Sequence, residues 1–352
     1  MARILTKNKN ELLDVLDIFM TDCKYRDLRR ASIRLYERSL KLLFKFLEDD
    51  YNIIYVEDVK EEHIRNYIKF TKERGKYSYV SNDNILNTNS PQNRGDFGQP
   101  VSLRTLDNYV GTIKMFFNWC IDNKYLKQNP TSKIKRIKVS RKPKPEVTLD
   151  EFNKLLHSLD LTLFAEYRDY VLIQLLLDTG MRIGECLELK EKDLDLKNKT
   201  IYISAEIAKG RKDRYVFFSS IMQRTLEKWL IYKDRYVSNE YLFVTNRGGK
   251  YQIHYFEKHL RNYLKRAKID KQITPHTLRN NFAKRFLMSG GDIYTLSKLL
   301  GHSSVRVTES AYLDLTTTDI RKNYLKYSPL ENMRKRNWWK IRVGTHNTYS
   351  QN

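Results

Sequence analysis

Cysteine is scarce in this 352-residue chain: Cys23, Cys120 and Cys186 are the only three. None sits in a CxxC pair and none has a histidine at ligand spacing, which excludes a disulfide framework and a structural zinc site and implies a reducing compartment. Long apolar runs are missing too. The longest, VLIQLLL at 171–177, is far too short to cross a bilayer, and the opening MARILTKNKNELL lacks the continuous apolar stretch of a secretory signal. The expectation is a soluble, cytoplasmic protein with no membrane partner. Acidic residues are in deficit, 42 against 65 Lys and Arg, so the formal net charge is +23 and the pI is near 9.7. The cations are spread along the whole chain. Such an excess implies a polyanionic partner, most simply nucleic acid, because neutralising phosphates releases their counterions.

The length is sufficient for two domains that each bury a core. No internal repeat is visible. Apolar residues at three- and four-residue spacing predict helices over 10–20, 29–50, 58–75 and 103–126, the last stopping before Asn129 and Pro130. Between the third and fourth, KYSYVSNDNILNTNSPQNRGDFGQP (76–100) keeps no period and reads as a long loop. IKVSRKPKPEV (137–147) gathers cations around Pro143 and Pro145, which forbid a regular helix, and so reads as a semi-rigid basic linker lying along a phosphate backbone, with Lys142 and Lys144 as DNA contacts. TLDE at 148–151 has the form of a capping box and opens a second domain with helices at about 150–159 and 164–178. TIYISAEIAKGRKDRYVFFSS (200–220) alternates around a Gly-containing turn, as a hairpin does, and helical spacing returns over 221–327. The fold class expected is mainly α with a small antiparallel β element in the second domain. The boundaries expected are 1–136 with its loop insertion at 76–100, a linker at 137–147, a second domain at 148–327 and a tail at 328–352.

ITPHTLRNNFAKRFLMSGG (273–291) is the most informative helix. Thr274 suits the N-cap and Pro275 the first helical position, so His276 and Arg279 share one face of a turn already favourable to anions. In DTGMRIGECLEL (178–189), Gly180 ends one helix, Arg182 enters the next, and Glu185 stands one turn on, where it can hold the guanidinium. Two guanidinium groups suit the non-bridging oxygens of one phosphate; each arginine alone reads as an ordinary salt bridge. Lys209, in the turn AKGRKDR, is placed to enter a DNA groove and to donate a proton, with Arg211, Lys212 and Arg214 as competing or accompanying DNA contacts. His302 follows the helix stop at Gly301 in KLLGHSSVRVTESAYLDL. Tyr312 follows His302, as one of 24 tyrosines. His254 and His259 flank Glu257 but are five apart, which does not match the zinc-helix pattern, and no other carboxylate or histidine cluster has metal-ligand spacing.

In chain order, Arg182, Lys209, His276 with Arg279, His302 in LLGH, and Tyr312 resemble the catalytic set of the tyrosine recombinase, or phage integrase, family. FFNWCIDNKYLKQNP (116–130) resembles the end of that family's DNA-clamping helical domain, and the resemblance runs from about residue 10 to 327. Two features depart from the family pattern: Asn280 and Asn281 after the HxxR arginine, where His and Thr are frequent, and the loop at 76–100. With only a short stretch ahead of the first helix, a compact two-domain member without a separate arm-binding domain is expected.

The resemblance implies that Tyr312 is the nucleophile of a 3′-phosphotyrosyl intermediate and that Arg182, Arg279 and His302 stabilise the pentavalent phosphorus. It also implies that His276 assists the tyrosine proton or the phosphate, and that Lys209 protonates the leaving 5′-oxygen. The implied partners are double-stranded DNA recombination sites and further copies of the chain, as a homotetramer passing through a Holliday junction, with accessory factors compatible with the scheme. The tail, with TTDIRKNYLKYSPL (317–330) and MRKRNWWKIR (333–342), is the expected contact between subunits. The Lys/Asn/Tyr-rich composition fits a prokaryotic mobile element. The runner-up activities are type IB topoisomerase-like relaxation and DNA binding without catalysis on the same scaffold. No cofactor and no metal are expected, because side-chain cations take the metal's place. Strand exchange is therefore predicted to proceed undiminished in EDTA, as a gel assay of product with and without chelator will show; loss of product in chelator would point to metal-dependent chemistry.

Overall fold

A computed structural model of the chain describes residues 9–81, 90–139 and 145–312, together with Tyr324 and Ser328. The chain divides into two compact units, Met1–Arg141 and Lys142–Asn352. Among the described residues no helix is long and apolar enough to cross a membrane. The three cysteines are buried and unpaired.

The first unit holds α1 (Leu12–Tyr25), α2 (Arg30–Tyr51), α3 (Glu61–Glu73) and α4 (Leu103–Asp122). Their apolar stripes meet around Phe19, Phe44, Phe116 and Phe117, where rings pack edge-on or tilted at 5.2–5.5 Å between centroids. The fourth helix is shorter than its sequence pattern suggests, because the chain turns at Asn123 and Lys124, the latter at φ +64°. The base of the 76–100 loop is closed: Lys76 N–H donates to Gln99 O at 2.8 Å and Gly98 N–H to Lys76 O at 3.0 Å. Residues 136–137 are tied into the same unit, since Asp107 accepts two hydrogen bonds of 2.7 Å from Arg136 and one from Ile137 N–H.

The second unit is built around α6 (Phe164–Thr179), whose sequence is apolar on nearly every side and is buried accordingly. It follows α5 (Leu149–His157) and packs on α8 (Ser220–Asp234) and α10 (Pro275–Met288); α7 (Ile183–Glu188), α9 (Ile253–Arg266), α11 (Ile293–Leu300) and α12 (Val305–Tyr312) complete the described helices. Thr148 and Glu151 form the expected capping box at the start of α5. The hairpin gains a partner that its pattern did not announce. Strands β1 (Leu194–Asp195), β2 (Thr200–Ile203) and β3 (Arg214–Phe217) form one antiparallel sheet in that order, with Ile201 opposite Val216 and Ile203 opposite Arg214. Ile201, Ile203 and Val216 face the core, whereas Tyr215 and Phe217 face outward.

Residues 145–147, assigned to the linker from sequence, are fixed to the second unit instead. Val147 is buried and its N–H donates to Asn281 Oδ1 at 2.8 Å, while Arg285 donates to Val147 O at 2.7 Å. Elsewhere in this core Asp169, fully buried, accepts from Tyr251 Oη, Tyr263 Oη and Arg168, and lies 2.9 Å from His259 Nδ1. His259 is thus part of a hydrogen-bonded network centred on Asp169. Trp229 is buried between α6 and the segment at Leu242, donating Nε1–H to Leu242 O at 2.9 Å. Trp229→Ala should destabilise the fold by about 3–5 kcal/mol, read as a lowered urea midpoint.

Candidate active site

Arg182 reaches its place because α6 ends on Gly180 in the left-handed conformation, φ +64°. A Cβ there would meet the Phe282 ring at 2.2 Å, so both the turn and the close approach of α10 require glycine. Arg182 then precedes α7, and Glu185 one turn in accepts from its main-chain N–H at 3.1 Å and from its Nη1 at 2.9 Å. The Glu185 side chain is 2% exposed and has a second cation: Arg214 donates Nη2–H to Oε2 at 2.6 Å and Nη1–H to Oε1 at 3.2 Å. Burial works to raise the Glu185 pKa, but the hydrogen bonds and charge of Arg214, followed by those of Arg182, outweigh it and hold the carboxyl at about 2.

The second arm of the site is α10. Thr274 caps it, accepting from Thr277 N–H, and Pro275 occupies its first turn. His276 is exposed beside this end, whereas Arg279 is buried. Arg279 donates Nη1–H to Gly180 O at 2.7 Å and Nη2–H to Leu300 O at 2.6 Å, and the same Nη2 lies 3.2 Å from His302 Nε2.

The third arm is the end of α11, which closes on Gly301 at φ +62°. Three consecutive carbonyls here each receive a different arginine: Leu299 O from Arg214 Nε at 3.2 Å, Leu300 O from Arg279, and Gly301 O from Arg182 Nη2 at 3.4 Å. A helix leaves these oxygens without internal partners and carries the negative end of its dipole there. Among the described residues, the Glu185 carboxylate and the negative end of the α11 dipole stand against these guanidinium groups.

His302 follows, its N–H bonded to Ser297 O at 3.1 Å. A guanidinium can only donate, so the ring nitrogen facing Arg279 accepts, which places the imidazole proton on Nδ1. Nδ1 then donates to Thr308 Oγ1 at 2.8 Å. Thr308 is fully buried on α12, four residues ahead of Tyr312, the last residue of that helix. His302 therefore bridges the arginine cluster and the element that carries the tyrosine. Burial, then the charges of Arg279, Arg182, Arg214 and His276, lower its pKa from 6.5 to about 4.

Lys209 lies in the loop between β2 and β3 and is exposed, as are Arg211 and Lys212. A Cβ placed on the adjacent Gly210 would stand 3.7 Å from Gly301 O, so the hairpin loop borders the same turn. Arg214, expected from sequence at a DNA surface, is turned inward with its side chain 10% exposed. Its strand alternation is the signal for this, since Arg214 shares the face of buried Val216. Thr308 and the carbonyl set were not singled out in the sequence; the i, i+4 spacing of Thr308 and Tyr312 is the clue to the first. Asn281, regarded as a departure from pattern, ties Val147 N–H and Pro145 O to α10. Lys142, Lys144 and the tail contacts fall outside the described residues. Among the described residues no group of three or more His, Cys, Asp or Glu is placed to hold a metal.

At pH 7 His302 should be neutral with its proton on Nδ1, and should titrate near 4. The unfolded imidazole binds its proton more tightly, so native stability is expected to fall as the pH drops from 6.5 toward 4, and this fall should be smaller in His302→Gln. Nitrogen-15 NMR of labelled histidine and denaturation midpoints across that range check both statements.

The phage integrase family model matches residues 146–318. The tyrosine recombinase XerD of Staphylococcus epidermidis is 30% identical over 240 residues, covering 66% of this chain and 79% of that protein. The fold is shared with the Tn1549 transposon integrase in complex with transposon right end DNA, at TM-score 0.67 and 18% identity over 89% of this chain and 98% of that one. It is shared also with a lambda integrase tetramer bound to a Holliday junction, at TM-score 0.63 and 17% identity over 86% and 80% of the two chains. The family model and the XerD relative show that the chain belongs to the tyrosine recombinase, or phage integrase, family of enzymes that break and rejoin DNA strands.

Proposed function

We propose that this recombinase cuts each DNA strand with Tyr312, forming a 3′-phosphotyrosyl bond, and that Arg182 and Arg279 hold the scissile phosphate together with His302, whose ring gains a proton on Nε2 when the phosphate's negative charge arrives and so turns from acceptor to donor. The observation that carries this reading is the Arg279–His302–Thr308 chain of contacts, which joins the arginine cluster to the helix ending at Tyr312. The tyrosine oxygen attacks phosphorus, the bond to the 5′-oxygen breaks, and the electrons of that bond leave with the 5′-oxygen. His276, exposed at the start of α10, is the nearby group suited to receive or relay the tyrosine proton. Lys209 supplies a proton to the leaving oxygen from the hairpin loop beside Gly301.

Charge develops on the non-bridging oxygens during attack, which is where preorganised guanidinium donors act. The phosphodiester's energy stays in the tyrosyl ester, so a 5′-hydroxyl from another duplex reverses the step and exchanges strands. Duplex recombination sites, a homotetramer and a Holliday-junction intermediate complete the proposal, supported by the tetrameric lambda integrase that shares the fold. The likeness to a transposon integrase supports a mobile element as the setting. Lys142, Lys144, Arg211 and Lys212 are proposed as backbone contacts, and the 328–352 tail as a subunit contact.

The test is a denaturing gel of the protein with duplexes from its element's ends. Wild type should give a DNA-linked species and Tyr312→Phe should give none; an adduct that persists in the variant would move the nucleophile to another tyrosine.

A further inference from the structure

Arg214 is the one cation of the cluster to which the reaction above gives no task. Its position in β3 turns it to the face of Val216 and away from the loop cations Arg211 and Lys212. Its three nitrogens are all engaged within the protein: Nη1 and Nη2 on the two oxygens of Glu185, and Nε on Leu299 O at 3.2 Å. It also fills the space beside the turn so closely that a Cβ on Gly301 would meet its Cδ, Nε and Cζ at 3.0 Å. Glu185 in turn orients Arg182, and the turn it presses on carries the oxygen that Arg182 meets and the residue that precedes His302.

We propose that Arg214 is a positioning residue: by gripping Glu185 with two parallel hydrogen bonds and the α11 end with a third, it fixes where Arg182 and His302 face the phosphate. It joins the hairpin of Lys209 to that frame and touches no DNA itself. The proposal rests on the reading of Arg182 and His302 as phosphate ligands. Its physical basis is the planar fork of the guanidinium, which holds a carboxylate in one plane; a lysine at the same position is a point charge that keeps the sign but releases the plane. Released from that plane, Glu185 lets the more exposed Arg182 swing, and a displacement of about 1 Å in such a site costs about 10²-fold in rate.

The test compares Arg214→Gln and Arg214→Lys with wild type in single-turnover cleavage of two duplexes, one with the ordinary scissile phosphate and one with an uncharged methylphosphonate there. On the phosphate both variants should cleave about 10²-fold more slowly, with DNA affinity and its salt dependence unchanged. On the methylphosphonate, which demands less cationic stabilisation, the deficit should shrink to below about tenfold. An equal deficit on both duplexes would overturn the proposal in favour of a merely structural role, and a weakened affinity with a smaller salt slope would overturn it in favour of a DNA contact. A DNA-free measurement separates this proposal from the reaction it rests on. The His302 ring signals of the free protein should move in Arg214→Gln and keep their positions in Lys212→Gln. Unmoved His302 signals in Arg214→Gln count against Arg214 alone, whereas absence of any adduct with wild type counts against the proposed reaction.

Discussion

The candidate site in the second unit is organised by three arginines meeting the last carbonyls of one helix. Gathering like charges in a partly dry pocket is costly unless opposite charge accompanies them. Here it comes from Glu185, buried and ionised, and from the oxygens of Leu299, Leu300 and Gly301. Together these acceptors hold the three guanidinium groups in fixed positions. On the proposed reading, the same contacts that order these side chains would present them to a phosphate diester.

The location of the pocket follows from how the chain is laid out. α6 is buried on almost every side and ends on Gly180, whose positive φ swings the chain into Arg182 and whose oxygen receives Arg279. α10 packs against α6 and presents Arg279 at that point, and the end of α11 closes the third side. The most buried helix of the unit thereby sets the position of two cations from opposite sides of one residue. His302 then extends the frame to α12 through Thr308, and its proton placement follows from which neighbour is able only to donate.

Much of this was legible in the residues. Helix spacing located the four helices of the first unit and α5 and α6 of the second, though α1 runs on to Tyr25, and the capping patterns at Thr148 and Thr274 marked helix starts that the structure reproduces; apart from α10 and the stop of α11 at Gly301, the helices beyond the hairpin were read only as a single stretch of helical spacing. Local rules of that kind depend on neighbours in sequence, and so they read well. Contacts between distant segments did not read as well. Arg214 looked like one more hairpin cation because its partner, Glu185, is 29 positions away, and composition does not reveal which face of a short strand is covered. The β1 strand, two residues long, has no periodicity to detect. Val147 belongs to the second unit because Asn281 and Arg285 reach it from far along the chain, while its sequence neighbourhood is all linker.

Beside the Glu185 carboxylate, the acceptors that meet the arginines at the end of α11 belong to the main chain, and every amino acid brings the same oxygen. Exposed side chains along Ile293–Leu300 can therefore drift without removing a single acceptor, whereas Leu296 and Leu300 are held by the core they share with Ala283. What such drift cannot touch is the backbone path at Gly301, where a left-handed turn and the crowding of Arg214 leave room for no side chain without rearrangement. Tolerance and fragility thus lie side by side in this segment: the solvent face of the helix is permissive, while its buried face and the glycine on which it ends are not.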